Sequence, residues 1–163
     1  MAYSFVEPTS GLLQIAETDA GVTMANGSSA IPTPPSTLGM VVRAFDPTYG
    51  EGEFIMLVGV DSTVVGSLVS YNATTYQTAL SANTAALFGW YQIGGLAVIK
   101  KTAVAVNPQV AVYQSATTGR IMATQASGKQ ILGARAANLT SVTSTVSTVI
   151  VSINRPHKQG QIL

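Results

Sequence analysis

Charge is what this sequence has least of. Asp, Glu, Lys and Arg make up 9% of its 163 residues, against 47% hydrophobic, where an average globular domain is about a quarter charged. Charged side chains keep a surface wet and keep copies of it apart. A chain that gives them up needs another way to stay dispersed, and hiding surface in an assembly is the usual one. Cysteine is absent, which excludes disulfides and thiolate metal sites and leaves the redox compartment undetermined. The formal net charge of +1 is too small to steer nucleic acid or an anionic membrane, so neither is expected as a partner. Long hydrophobic runs are missing too. The longest apolar stretch, residues 87–99, is too short to cross a bilayer and contains Gly89, Gly94 and Gly95. Residues 1–11 lack the basic start and apolar run of a secretory signal. Three acceptor-like sequons, at Asn26, Asn72 and Asn138, are what chance gives in a chain this rich in Ser and Thr.

What is present divides into an arm, a β domain and a short tail. Residues 1–38 are punctuated by turn formers: Glu7-Pro8-Thr9-Ser10-Gly11, then Ala25-Asn26-Gly27-Ser28-Ser29-Ala30, then Ile31-Pro32-Thr33-Pro34-Pro35-Ser36. Pro32, Pro34 and Pro35 favour an extended path and cannot donate ladder hydrogen bonds. Leu12, Leu13 and Ile15 form the apolar piece between these clusters. The segment reads as an extended arm laid over a neighbour. Deleting residues 1–35 is then expected to leave a folded domain with weaker binding.

Residues 39–154 read as short strands separated by turns. Residues 40–45 run into Asp46-Pro47-Thr48-Tyr49-Gly50, where Pro presets φ and Gly supplies a positive one. Residues 54–60 are apolar on both faces, as a strand covered on both sides should be. Residues 67–71, 97–106 and 110–114 are further strand candidates. Residues 148–154 alternate most cleanly, with Val149, Val151 and Ile153 on one face. Residues 78–88 are the one helical candidate. Residues 66–75 and 107–118 echo each other as turn, short strand with Tyr, and Ala-Thr-Thr loop. Many short strands with regular turns predict an all-β fold, a single small β-barrel or jelly-roll-like sandwich with an extended N-terminal arm. Periodicity does not choose between a jelly roll and a smaller clip-like barrel. Residues 155–163 are a polar C-terminal tail.

Catalytic chemistry has little to work with. His157 is the one histidine, beside Arg155, Pro156 and Lys158, and no Asp or Glu lies beyond Asp61 to orient it. Glu51-Gly52-Glu53 near Asp46 lacks the spaced acidic loop of a calcium site and reads as solvated hairpin chemistry. Gly94-Gly95 is not followed by the Gly-Lys-Ser/Thr of a phosphate loop. No catalytic residue, cofactor or metal is expected, and the chain is not expected to be an enzyme. Trp90 and Tyr91, with Tyr113, would be the platform of a carbohydrate-binding or adhesive β-sandwich module, the alternative reading. Aromatics at that density more often pack a core or an interface. A fimbrial or surface-layer subunit is a third reading.

The stretch from residue 38 to 154 resembles bacteriophage head decoration (cement) proteins. The first half of the match rests on Leu38-Gly39-Met40-Val41-Val42-Arg43-Ala44-Phe45-Asp46, on Tyr49-Gly50-Glu51-Gly52-Glu53-Phe54-Ile55 and on Gly66-Ser67-Leu68-Val69-Ser70-Tyr71. The second rests on Gly94-Gly95-Leu96-Ala97, Val110-Ala111-Val112-Tyr113, Gly119-Arg120-Ile121 and Ile131-Leu132-Gly133-Ala134-Arg135-Ala136. The closing Val149-Ile150-Val151-Ser152-Ile153-Asn154 with Arg155-Pro156 fits as well. The resemblance implies a structural virion protein, made in the host cytoplasm, that binds the outer surface of an icosahedral capsid. There it would bridge neighbouring major capsid proteins, as a homodimer or homotrimer, without cofactor or enzymatic activity. The arm is outside the match. Interface residues are expected among Leu12, Leu13, Ile15, Pro32, Pro34, Pro35, Trp90, Tyr91, Arg155 and His157.

Overall fold

A computed structural model describes residues 3–6, 12–15, 18–19, 34, 36–59, 64–75, 78–79 and 88–159. Eleven strands form among the described residues: β1 (Ser4–Phe5), β2 (Thr18–Asp19), β3 (Val41–Asp46), β4 (Gly50–Val58), β5 (Ser70–Tyr71), β6 (Thr78–Ala79), β7 (Phe88–Lys100), β8 (Ala111–Gln114), β9 (Ile121–Met122), β10 (Gln130–Ala136) and β11 (Thr148–Lys158). The described residues contain no helix. The all-β expectation holds.

By contacts the chain divides into two compact units, the first made of Met1–Ser62 and Ser70–Gln92, the second of Thr63–Val69 and Ile93–Leu163. The strand β7 is shared, residues 88–92 belonging to the first unit and 93–100 to the second.

In the first unit the strands β1, β3, β4 and β7 are neighbours in that order, and β2 adds to β7 through Thr18 and Asp19. A separate pair joins β5 to β6. The β3–β4 hairpin turns where predicted. Asp46 Oδ1 accepts the backbone N–H groups of Thr48 (2.8 Å) and Tyr49 (3.2 Å), and Gly50 takes a φ of +72°. On β3 exposure alternates residue by residue. Val42 and Ala44 face inward, while Val41, Arg43 and Phe45 face out. On β4 residues 54–57 are all buried, as an apolar run on both faces requires. The core gathers Val42, Ala44, Phe54, Met56, Phe88 and Trp90, with Tyr3, Phe5, Leu12, Leu13, Ile15, Leu38 and Val58 packed on it.

In the second unit β7, β11, β10, β8 and β9 are neighbours in that order. The seven pairs from Thr148↔Lys100 to Asn154↔Gly94 hold β11 on β7 without a slip. The inward set Val149, Val151 and Ile153 packs with Ala97, Val106, Val112, Ile121, Ile131 and Ala136. Among the described residues neither unit's ladder closes on itself: one ends in β1, the other in β9, each only two residues long. Short edges of this kind limit unwanted strand addition.

Three sequence expectations need correction. The helical candidate at 78–88 supplies strand β6 at its start and opens β7 at Phe88; residues 80–87 lie outside the described residues. The strand expected at 97–106 ends at Lys100, and beyond it only isolated bridges form, Lys101 with Ile121 and Val106 with Val142. Glu51-Gly52-Glu53, read as a turn, lies within β4, because the turn is completed by Gly50.

Candidate docking faces

Opposite residues on paired antiparallel strands share a face. The face of β3–β4 that carries Val41, Arg43 and Phe45 therefore holds the pairs Val41↔Ile55, Arg43↔Glu53 and Phe45↔Glu51, with Ile55 itself buried. Val41 and Phe45 are among the exposed large hydrophobics, and Val6 and Met40 are exposed in the same unit. This face mixes apolar side chains with two carboxylates, Glu51 and Glu53, and one guanidinium, Arg43.

The second unit carries a different face on β10–β11. There Leu132 pairs with His157 and Arg135 with Ser152, all four exposed. Between those pairs the register slips, so that Gly133 alone stands against Asn154, Arg155 and Pro156. Two backbones absorb the slip. Gly133 has φ +73° and Arg155 has φ 43°. A β-carbon on Gly133 would meet the Asn154 carbonyl oxygen at 2.5 Å, so only glycine lets the strands approach this closely. On its other side β10 matches β8 at Gln130↔Tyr113 and at Arg135↔Ala111. Four β10 residues thus face Val112 alone, and the strands part. An open groove of about 340 Å³ results, bordered by Gln130, Leu132, Arg135 and Ser152. The Arg135 side chain has no hydrogen-bond or ion-pair partner among the described residues.

The two units divide the charge almost completely. All seven Asp and Glu fall in the first unit with one basic residue, Arg43, giving −6. The other seven Lys and Arg fall in the second unit with no acid, giving +7. The small net charge conceals this split.

Among the described residues no three His, Asp or Glu gather at metal-binding distance. One buried cation stands out. Lys101 in the second unit is 1% exposed, and its Nζ donates to the carbonyls of Val104 (2.8 Å) and Thr102 (3.2 Å). Burial pushes its ammonium below the ordinary 10.5. In the first unit burial raises the Tyr3 phenol above 10.0, opposed by the hydrogen bond from Gln92. Neither group was singled out from sequence. Lys101 sits in a Lys-Lys pair that reads as surface, and only the tertiary packing tells the two apart.

The expected interface residues scatter. Leu12, Leu13 and Ile15 pack on their own unit's core, and the buried Trp90 donates its indole N–H to the Leu13 carbonyl at 2.7 Å. Tyr91 and Pro34 are half-buried, while Pro32 and Pro35 lie outside the described residues. Arg155 and His157 are exposed on β11, which continues to Lys158 through what the sequence marked as tail. The structure thus brings together Arg155 and His157 and adds Arg135 and Leu132 beside them.

The most exposed apolar side chains of the second unit lie in its loops. Leu139 is 97% exposed and Val65 81%, with Val64, Val104 and Val146 also open. The loop of Leu139 is tied to the segment after Val104: Asn138 Nδ2 donates to the carbonyls of Val106 and Thr140, and Ser141 Oγ donates to Asn107 Oδ1 at 2.7 Å. Compared with known proteins, the chain matches no family model, no curated sequence and no solved structure.

Proposed function

We propose that this chain is a structural virion protein that binds the outside of an icosahedral phage capsid and cements neighbouring major capsid proteins. The observation that carries the reading is the placement of its exposed apolar side chains. Leu139 and Val65 stand almost fully in solvent, on a chain whose charged residues are 9% of the total. Apolar side chains held open on hydrogen-bonded loops suit docking onto a protein lattice, where burial is worth about 25 cal/mol per Å². The segments that resemble decoration proteins supply β3, β4, β7, β8, β10 and β11. A subunit binding only the assembled lattice stabilises it by mass action, and symmetry-repeated contacts add through avidity.

The adhesive-module alternative is less well supported. Its platform needs an open aromatic face, and Trp90 is buried with its N–H bonded to Leu13. Tyr113 belongs to the other unit.

Co-sedimentation of the purified chain with empty heads that lack it tests the proposal. Binding in fixed stoichiometry, lost for Leu139→Asp, is the expected result. Failure to pellet with any head preparation overturns it.

A further inference from the structure

We infer that the basic β10–β11 face of one copy binds the acidic β3–β4 face of a second copy, in a head-to-tail contact. The argument starts from the charge partition. A second unit at +7 in side-chain charge, without Asp or Glu, joined to a first unit at −6, is attracted to the first unit of any other copy. Exposed charge of one sign steers association and fixes which surfaces meet, more than it adds raw affinity.

The local chemistry agrees with that long-range term. The basic face offers the Arg135 guanidinium, unpartnered among the described residues, with Arg155 and His157 on the strand beside it. The acidic face offers Glu51 on β4, with Glu53 beside it opposite Arg43. Each face also has apolar surface to bury. Phe45, exposed and opposite Glu51, is the anchor for the groove that opens beside Leu132 and Arg135. Aromatic anchors of this kind carry most of the energy at protein interfaces.

A polyanion such as nucleic acid is disfavoured by the same partition. Its phosphates are attracted by the unit whose Lys and Arg stand without Asp or Glu and repelled by the unit that holds every Asp and Glu. A copy of this chain meets opposite charge at both. Because the two faces differ, the contact is heterologous and builds rings or chains rather than an isologous pair. The inference concerns the free chain and stands apart from capsid binding, so its test contains no heads.

Sedimentation velocity of the full chain, with folding checked by circular dichroism, is the experiment. Raising NaCl from about 0.05 M to about 0.5 M shortens the screening length well below 10 Å and is expected to weaken association about tenfold or more. Arg135→Glu with His157→Glu, and separately Glu51→Lys with Glu53→Lys, should each leave the chain monomeric. Mixing the two variants restores association, because each then offers the other a complementary face. If the second pair disturbs folding beside Arg43, Glu51→Lys alone serves in its place. A wild-type monomer at both salt concentrations overturns the inference. So do variants that associate as the wild type does, a mixture that stays monomeric, or a wild type that binds single-stranded DNA through Arg135 without self-association.

Discussion

The indole N–H of Trp90 donates to the carbonyl oxygen of Leu13 across 2.7 Å, joining the third strand of the first unit's core to a segment that the sequence marks as a detached arm. Phe5 meets the same indole edge to face, with ring centroids 5.9 Å apart, and Tyr3 meets Phe54 at 4.9 Å. These contacts make Tyr3, Phe5, Leu12, Leu13 and Ile15 part of the first unit's packing. Trp90→Phe keeps an aromatic ring but leaves the Leu13 carbonyl without its donor, a loss of about 1–3 kcal/mol. Chemical denaturation followed by circular dichroism measures it. Deleting residues 1–15 removes Tyr3, Phe5, Leu12, Leu13 and Ile15 together and is expected to unfold the first unit. A truncated chain as stable as the full one would return the segment to the role of a strap.

Gly133 and Gly50 share a backbone conformation but not a neighbourhood. Their φ values are +73° and +72°, yet a β-carbon on Gly50 meets nothing within 4 Å, whereas one on Gly133 meets the Asn154 carbonyl at 2.5 Å. Gly50→Ala therefore costs only the left-handed conformation, about 1–2 kcal/mol. Gly133→Ala adds displacement of β11 to that strain and should cost about 2 kcal/mol more. Unfolding midpoints of the two variants, compared with wild type, measure the difference. Equal losses would mean that the β10–β11 bulge relaxes freely.

Legibility followed local chemistry. The Asp46–Gly50 turn, the two-sided burial of residues 54–57 and the alternation of Val149, Val151 and Ile153 were all readable, because each depends on neighbours in sequence. The thirteen-residue β7 was not, since Gly89, Gly94 and Gly95 look like breaks. Gly94 and Gly95 instead pair with Asn154 and Ile153, a partnership about sixty positions distant that no local pattern reports. The candidate faces were half legible. Arg155 and His157 were singled out, but Arg135 and Leu132 join them only through pairing across β10 and β11. The absence of acids beyond Asp61 was visible, while its meaning waited for the division into units.

Lys101 ties stability to pH. Its folded-state value is depressed by burial below the ordinary 10.5, so the unfolded chain binds the proton more tightly than the folded one. Stability then rises with pH between the depressed value and 10.5, and is flat in this term below and above that window. Lys101→Met abolishes the slope, because no proton is exchanged there. It also removes the donor to Thr102 and Val104, which lowers stability at the alkaline end, where the wild-type amine is neutral and still donates. Denaturant titrations at several pH values on the alkaline side measure both effects. Parallel wild-type and variant curves would show that the amine is solvated.

Leu139 separates docking from folding. At 97% exposure it contributes no packing within its own chain, so Leu139→Asp should change stability by no more than about 0.5 kcal/mol. The residue before it is fixed, with Asn138 Nδ2 bound to the carbonyls of Val106 and Thr140. An apolar side chain presented on a held loop loses little freedom when it docks. Removing such an anchor typically weakens binding by tenfold or more, about 1.4 kcal/mol. Asn138→Ala frees the loop while leaving Leu139 in place, and should weaken head binding through the same face by a smaller factor, with some loss of stability. Head-binding isotherms of the two variants, beside their unfolding curves, give the comparison. Unchanged binding by Leu139→Asp would move the docking surface away from these loops.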